Sequence, residues 1–167
     1  MRRDHSLDPA TVARVEVTVP PMVYGLVGRE PSPDLAPGAA RLCLGYLVAY
    51  ALYHGRVDLD TYRSEHLSDR RTFDLAKRVE IRPDSNPDPN AFNPQTIRVV
   101  LEDGASFERT MTASLGSPER PLDADGLSEK FESNLAAVGR AEMAGPIRRR
   151  VEAILDQQDV TELFDLL

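Results

Sequence analysis

The sequence VARVEVTV at residues 12–19 decides the fold class of this chain. Apolar and polar residues alternate along it, and this period of two predicts a β-strand with one buried and one exposed face. Pro20 and Pro21 follow directly and end the strand, because proline has no N–H for a β-ladder. Glycine and proline recur from Gly25 to Pro37, which predicts a long loop after the strand.

Two more runs rich in β-branched residues predict a hairpin. They are TIRVVL at residues 96–101 and SFERTMTA at residues 106–113. Between them stands Asp103-Gly104, a dipeptide that suits a primed hairpin turn. A shorter run, VEIR at residues 79–82, predicts a fourth strand. We therefore expect a small sheet of four strands that is mostly antiparallel.

Helices are predicted between and after these strands. Residues 39–53 are apolar almost all the way round a helix, which predicts burial on several sides. Gly55 is placed to end that helix as its C′ residue. Asp69 and Asp123 are placed to cap two further helices, because an aspartate at the N-cap accepts a hydrogen bond from the first turn.

The pattern as a whole predicts an α+β fold. We expect a two-layer sandwich of a small, mostly antiparallel sheet with helices, followed by a C-terminal helical arm. Residues 1–139 are assigned to the α+β domain and residues 140–167 to the arm. The long loop and the helix at residues 39–53 also predict a surface that another molecule or domain covers.

Composition argues against several classes of protein. The formal net charge of −7 gives an acidic surface that repels phosphate, so we expect neither a nucleic acid nor a membrane as partner. The longest uncharged apolar run, residues 42–53, is too short to cross a bilayer. Cys43 is the single cysteine, which rules out an intrachain disulfide and makes a cytoplasmic location the default.

No metal and no organic cofactor are predicted. His5, His54 and His66 lack the spacing of metal ligands, and one cysteine is too few for a cysteine-based zinc site. His54 is predicted to lie at the end of a helix, where the helix dipole favours it as a cap rather than as a catalytic group. Cys43 lies in an apolar run and is predicted to be a small buried side chain.

Several segments, read in order, resemble the C-terminal part of MmgE/PrpD proteins, the 2-methylcitrate dehydratase group. They are LDPATVARVEV at 7–17, LCLGYLVAYAL at 42–52, GRV at 55–57, ERPL at 119–122 and KF at 130–131. The resemblance covers nearly the whole chain. It implies a lyase that dehydrates small polycarboxylates such as 2-methylcitrate without a cofactor.

The resemblance also implies where catalysis occurs. In the family, a helical domain carries the catalytic Asp, His and Lys residues, and a segment like K-x-Y-x-x-C-x-x-x-H precedes the first strand. That segment has no match here, so we assign no catalytic residue and expect the chain to be inactive without a helical domain. Tyr46 matches a family tyrosine that faces the cleft between the domains, so the resemblance implies that its phenol binds substrate.

Other interpretations stay open. Tyr46 is also consistent with a core residue of an apolar helix. The chain is consistent with a non-catalytic dimerisation or interaction module that uses the helix at residues 42–53, or with a remnant that folds without activity. The expected partners are a second copy of the chain or a separate helical MmgE/PrpD domain. A small polycarboxylate is expected to bind only in the complete assembly.

Overall fold

The sheet has four strands, β1 (Val12–Val19), β2 (Val79–Pro83), β3 (Gln95–Leu101) and β4 (Ser106–Met111). In the computed structural model, which describes residues 2–33, 35–156 and 159–166, they lie in the order β2-β1-β3-β4. Strand β2 is parallel to β1, whereas the β1–β3 and β3–β4 pairs are antiparallel. The predicted α+β class and the mostly antiparallel sheet are confirmed.

The register explains the alternation in residues 12–19. Val15 lies opposite Val79 on one side and Val99 on the other, so apolar side chains form a row across the buried face. Glu16 lies opposite Glu80 and Arg98 in the same way on the other face. The sheet therefore has one apolar face, which helices cover, and one charged face.

Helices and short helical turns make up the rest of the described chain. The helices are α1 (Arg2–His5), α2 (Pro21–Val27), α3 (Pro37–Ala40), α4 (Leu44–His54), α5 (Ser64–Leu67), α6 (Arg70–Ala76), α7 (Ala124–Ala137) and α8 (Ala144–Glu152). Short 3₁₀ segments span Pro9–Thr11, Asp60–Tyr62, Ala141–Met143, Ile154–Asp156 and Thr161–Leu166. Both predicted aspartate caps are confirmed: Asp69 accepts from the N–H of Arg71, and Asp123 from that of Gly126.

Helix α4 is buried on two sides. Its Ala49 and Leu52 pack in the cluster formed by the valines of the sheet. Its Tyr46 and Tyr50 pack in a second cluster, together with Phe73 of α6. The burial on several sides that the sequence predicted is therefore achieved within this part of the chain. Helix α4 therefore leaves no large hydrophobic side chain exposed.

The predictions for the segment after Pro20 and for the type of hairpin turn were wrong. The loop expected after Pro20 begins instead as helix α2, since Pro21 stands at the first helical position, where its missing N–H costs nothing. The hairpin is confirmed, but its turn is not the primed type. Gly104 alone among the turn residues has a positive φ, and the N–H of Leu101 donates to the carbonyl of Ala105 across a three-residue loop.

The chain packs as two units, Met1–Arg120 and Pro121–Leu167. The first contains the sheet and helices α1 to α6, and the second contains α7 and α8. This division in packing falls before α7. A domain boundary between residues 139 and 140 stays a prediction.

Two glycine substitutions are expected to act in opposite directions. A methyl group would meet no atom within 4 Å at either Gly25 or Gly104. Gly104 has φ +86°, so Gly104→Ala should destabilise the first unit by roughly 1–2 kcal/mol. Gly25 lies inside α2, so Gly25→Ala should stabilise it by roughly 0.5–1 kcal/mol. Urea unfolding followed by tyrosine fluorescence tests this, because all five tyrosines lie between Tyr24 and Tyr62. Shifts of the same sign would contradict the backbone argument.

Candidate functional site

Tyr46, the predicted substrate-binding residue, lies in the core of the first unit. Its side chain is 0% exposed, and its hydroxyl donates to the carbonyl oxygen of Thr61 at 2.7 Å. Its ring stacks on Phe73 with 5.2 Å between the centroids. In this arrangement the phenol already has an acceptor and no solvent access. A substrate contact through Tyr46 stays a prediction.

The segment after α4 holds that acceptor in place. The Asp58 carboxylate accepts from the backbone N–H groups of Asp60 at 3.1 Å and of Thr61 at 3.3 Å. Its other oxygen pairs with Arg56 Nε at 2.6 Å. The backbone N–H of Asp58 donates to the Thr61 hydroxyl at 3.0 Å. These bonds fix the turn at Asp60–Tyr62 and aim the Thr61 carbonyl at Tyr46.

Three aromatic rings meet beside this segment, and we call Tyr50, His54 and His66 the imidazole cluster. The ring of His54, the last residue of α4, stacks on Tyr50 at 4.1 Å between centroids. His66 of α5 lies at 5.3 Å from Tyr50 and at 5.1 Å from His54, edge-on to both. His54 is exposed and His66 is half-buried, so the cluster reaches the surface.

The charges around the imidazole cluster are largely balanced. His66 Nε2 lies 3.9 Å from the carboxylate of Glu65. Arg56 pairs with Asp58, and Arg63 pairs with Asp60 at 2.7 Å. Arg56 and Arg63 are thus paired with carboxylates, and a protonated His66 would likewise lie beside the carboxylate of Glu65.

The buried tyrosines are donors rather than bases. Burial raises the pKa of the Tyr46 phenol well above its usual value, and burial also raises the pKa of Tyr50 and of Tyr62. They stay protonated at neutral pH.

Sequence reasoning missed the imidazole cluster. The spacing of four between Tyr50 and His54 was an available signal, because residues i and i+4 share a helix face. His66 gave no local signal, since it reaches the cluster only through the chain reversal after Gly55. His5 lies elsewhere and stacks on Phe107 at 4.4 Å.

Cys43 is a buried free thiol, as predicted. Its sulfur lies 3.5 Å from the carbonyl oxygen of Arg29. Burial raises the pKa of this thiol, which disfavours the reactive thiolate.

Within the described ranges, no three His, Cys, Asp or Glu side chains converge so as to hold a metal ion. A metal-free and cofactor-free protein stays a prediction. No helix in the described part of the chain is both long enough and apolar enough to span a membrane.

Comparison with known proteins identifies the family. The sequence model of the MmgE/PrpD C-terminal domain matches residues 1–156. The chain belongs to the MmgE/PrpD family. Cis-aconitate decarboxylase of Mus musculus is 25% identical over 167 residues, which cover 98% of this chain and 33% of that protein. The Homo sapiens cis-aconitate decarboxylase is 25% identical over 158 residues, which cover 93% and 32%. The chain thus spans about a third of the length of these curated relatives.

In this MmgE/PrpD domain, the segments that carry the resemblance mainly serve packing. Asp8 caps the turn that leads into β1, where it accepts from Ala10 N–H at 3.0 Å. Gly55 ends α4 with φ +83°, and Arg56 pairs with Asp58 in the segment that holds Thr61. Asp8, Gly55 and Arg56 therefore have structural roles that do not depend on a substrate contact.

Replacing Tyr46 by phenylalanine should destabilise the first unit. The variant leaves the buried Thr61 carbonyl without its donor, at a cost of roughly 1–3 kcal/mol. Tyr24 is 39% exposed, so Tyr24→Phe is the matched control and should change stability by less than about 0.5 kcal/mol. Urea unfolding measures both. A Tyr46→Phe variant as stable as the parent would show that the phenol is not held by Thr61.

Stability should decline in alkaline solution. The pKa values of Tyr46, Tyr50 and Tyr62 are raised in the folded state, so the folded state holds protons that the unfolded state releases above pH about 10. The contribution is fully present below that pH and is lost as the pH rises toward the folded values. Unfolding free energies measured from about pH 8 to about pH 11 should fall less steeply for Tyr46→Phe than for the parent. Equal slopes would contradict the assignment.

Proposed function

We propose that the chain is the C-terminal part of a lyase that acts on small polycarboxylates, together with a helical domain that supplies the catalytic base. Family membership carries the proposal, supported by relatives named cis-aconitate decarboxylase. Their length supports the second half, because two thirds of each relative has no counterpart in this chain. Dehydration of 2-methylcitrate and decarboxylation of cis-aconitate are the reactions to test.

Both reactions need proton transfer beside a carboxylate. Dehydration removes a proton next to a carboxylate and expels hydroxide from the neighbouring carbon, which requires a base and an acid. Decarboxylation breaks a carbon–carbon bond to release CO₂, and the electron pair left behind takes up a proton. Each step needs a group within hydrogen-bond reach whose pKa suits neutral pH. The raised tyrosine pKa values exclude these phenols from the role of base.

We propose that the imidazole cluster is the substrate-facing part of this domain. It lies at the surface, and a protonated imidazole can donate a charge-assisted hydrogen bond to a carboxylate. Tyr46 lies behind it, with its ring 6.1 Å from Tyr50. A direct contact between Tyr46 and substrate would require the phenol to leave Thr61.

The second candidate is a non-catalytic dimerisation or interaction module. The observation that favours it is the exposed apolar surface of the second unit, where Leu127, Val138 and Phe164 are exposed. This role is compatible with a place in an enzyme assembly. A cytoplasmic location is also part of the proposal and rests on the free thiol of Cys43.

The test measures turnover of cis-aconitate and 2-methylcitrate. The chain alone should be inactive at high enzyme loading, and activity should appear in the complete protein or when a helical MmgE/PrpD domain is added. In the active form, the double variant His54→Gln, His66→Gln should lower kcat/KM at least about tenfold, the effect of losing a charge-assisted hydrogen bond.

His5→Gln is the matched control, because His5 stacks on Phe107 and lies outside the imidazole cluster. It should leave kcat/KM unchanged. Turnover by the chain alone would contradict the need for a helical domain. Full activity in the double variant would remove the imidazole cluster from the substrate site and leave the family proposal standing.

A further inference from the structure

The two histidines of the imidazole cluster are held in place in different ways. His54 is the last residue of α4 and follows Tyr50 by four positions, so the helix itself places it beside that ring. His66 belongs to α5, which has only four residues. One helical turn is not stable by itself, because its hydrogen bonds do not offset the entropy of ordering it. The position of His66 therefore depends on the chain on either side of α5.

On its C-terminal side, α5 is held by one apolar contact. Leu67 is 7% exposed and packs in the cluster that contains Tyr46 and Tyr50. This contact keeps α5 against α4. A contact at one point leaves a short helix free to turn about that point, so the direction of α5 is set where the helix begins.

On its N-terminal side, a series of hydrogen bonds connects His66 to Asp58. The N–H of His66 donates to the carbonyl of Arg63 at 3.0 Å, and the N–H of Arg63 donates to the carbonyl of Asp60 at 3.0 Å. The N–H of Asp60 donates in turn to the Asp58 carboxylate at 3.1 Å. The side chain of Asp58 is 19% exposed, so water has little access to its oxygens. Asp58 is thus the side chain at which this series starts.

Thr61 connects the same carboxylate to Tyr50. Thr61 is 0% exposed, its N–H donates to the Asp58 carboxylate at 3.3 Å, and its hydroxyl accepts from the N–H of Asp58 at 3.0 Å. Burial raises the pKa of Tyr50, and a hydrogen bond with the Thr61 side chain opposes part of that rise. Both His54 and His66 pack on the ring of Tyr50. Asp58 therefore holds the start of α5 and also the residue that is bonded to this ring.

We propose that Asp58 is a positioning residue of the imidazole cluster, whose hydrogen bonds place His66 against Tyr50 and His54. Any effect on substrate rests on the proposed function, whereas the placement of His66 does not. The hydrogen bonds and the ion pair of Asp58 are separable, because Oδ1 accepts from the backbone and Oδ2 pairs with Arg56. The Arg56 side chain is 64% exposed, and an ion pair of this kind contributes little. Asparagine, which keeps Oδ1, should therefore preserve the arrangement.

The first test is nuclear magnetic resonance of the 167-residue chain. The parent should give nuclear Overhauser effects between the ring protons of His66 and Tyr50. Asp58→Ala should lose them, and Asp58→Asn should keep them. The effects between His54 and Tyr50 should persist in every variant, because α4 alone fixes that pair.

Asp60→Ala is the matched control. It removes a second aspartate of the same turn, one whose carboxylate is 48% exposed and pairs with Arg63. The contacts of His66 should remain, since the backbone bonds of the turn are unchanged. Nuclear Overhauser effects between Val15 of β1 and Val99 of β3, which lie opposite each other, verify that each variant is folded.

Thr61→Val is a milder variant that tests the same connection if Asp58→Ala does not fold. It keeps the carbonyl that accepts from Tyr46 and removes the hydroxyl that accepts from the N–H of Asp58. The contact between His66 and Tyr50 should weaken. Thr61→Ser restores the hydroxyl and should restore the contact.

The second test uses kinetics of the active form with a polycarboxylate substrate. Asp58→Ala should raise KM roughly three- to tenfold with a smaller change in kcat, because a displaced His66 loses a contact made in the substrate complex. Charge alone predicts the opposite, since removing a carboxylate weakens the repulsion of an anionic substrate. Asp60→Ala removes the same charge and should leave KM unchanged or lower it. Asp58→Ala should add little to His66→Gln, because both act through one imidazole.

The outcomes separate the positioning role from the proposed function. Contacts of His66 that persist in Asp58→Ala, or that Asp60→Ala removes equally, would overturn the proposal. So would their loss in Asp58→Asn, which would assign the role to the ion pair with Arg56. Kinetic effects of Asp58→Ala and His66→Gln that simply add would also contradict it. Loss of the contacts with unchanged KM would support the positioning role and remove the imidazole cluster from the substrate site.

Discussion

The double burial of helix α4 is the constraint on which the first unit depends. One side of the helix packs on the valines of the sheet, and the opposite side must be covered by other segments of the chain. The segments from Leu35 to Cys43 and from Arg56 to Ala76 provide that cover. Because Tyr46 brings a hydroxyl into that cover, the structure must also supply an acceptor, and the turn fixed by Asp58 supplies the Thr61 carbonyl. The histidines meet at the surface as a consequence of the same packing.

Local patterns in the sequence predicted most of the framework. The bounds of β1, the hairpin and the two aspartate caps follow from alternation, turn residues and cap chemistry, all of which act within a few residues. The loop predicted after Pro20 was wrong because proline is common at the first position of a helix as well as at the end of a strand. The helix expected at residues 39–53 is interrupted before Leu44, where Cys43 is extended. Periodicity alone carries no signal for such a break.

The candidate site was much less predictable. Tyr46 could be singled out by its motif, but its burial and its bond to Thr61 depend on a contact across 15 positions. The imidazole cluster depends on a chain reversal that brings α5 beside α4. Separations of this kind leave no periodic trace in one sequence, so only the folded chain reveals them.

The charged face of the sheet limits what can pack against it. Along one row, Glu80, Glu16, Arg98 and Glu108 lie side by side across all four strands. A third layer packed on that face would have to strip water from each of these groups, and an apolar helix would offer nothing in return. The architecture thus reserves one side for solvent. An apolar helix of another domain or partner is therefore expected to pack on the helical side or at the strand edges rather than on this face.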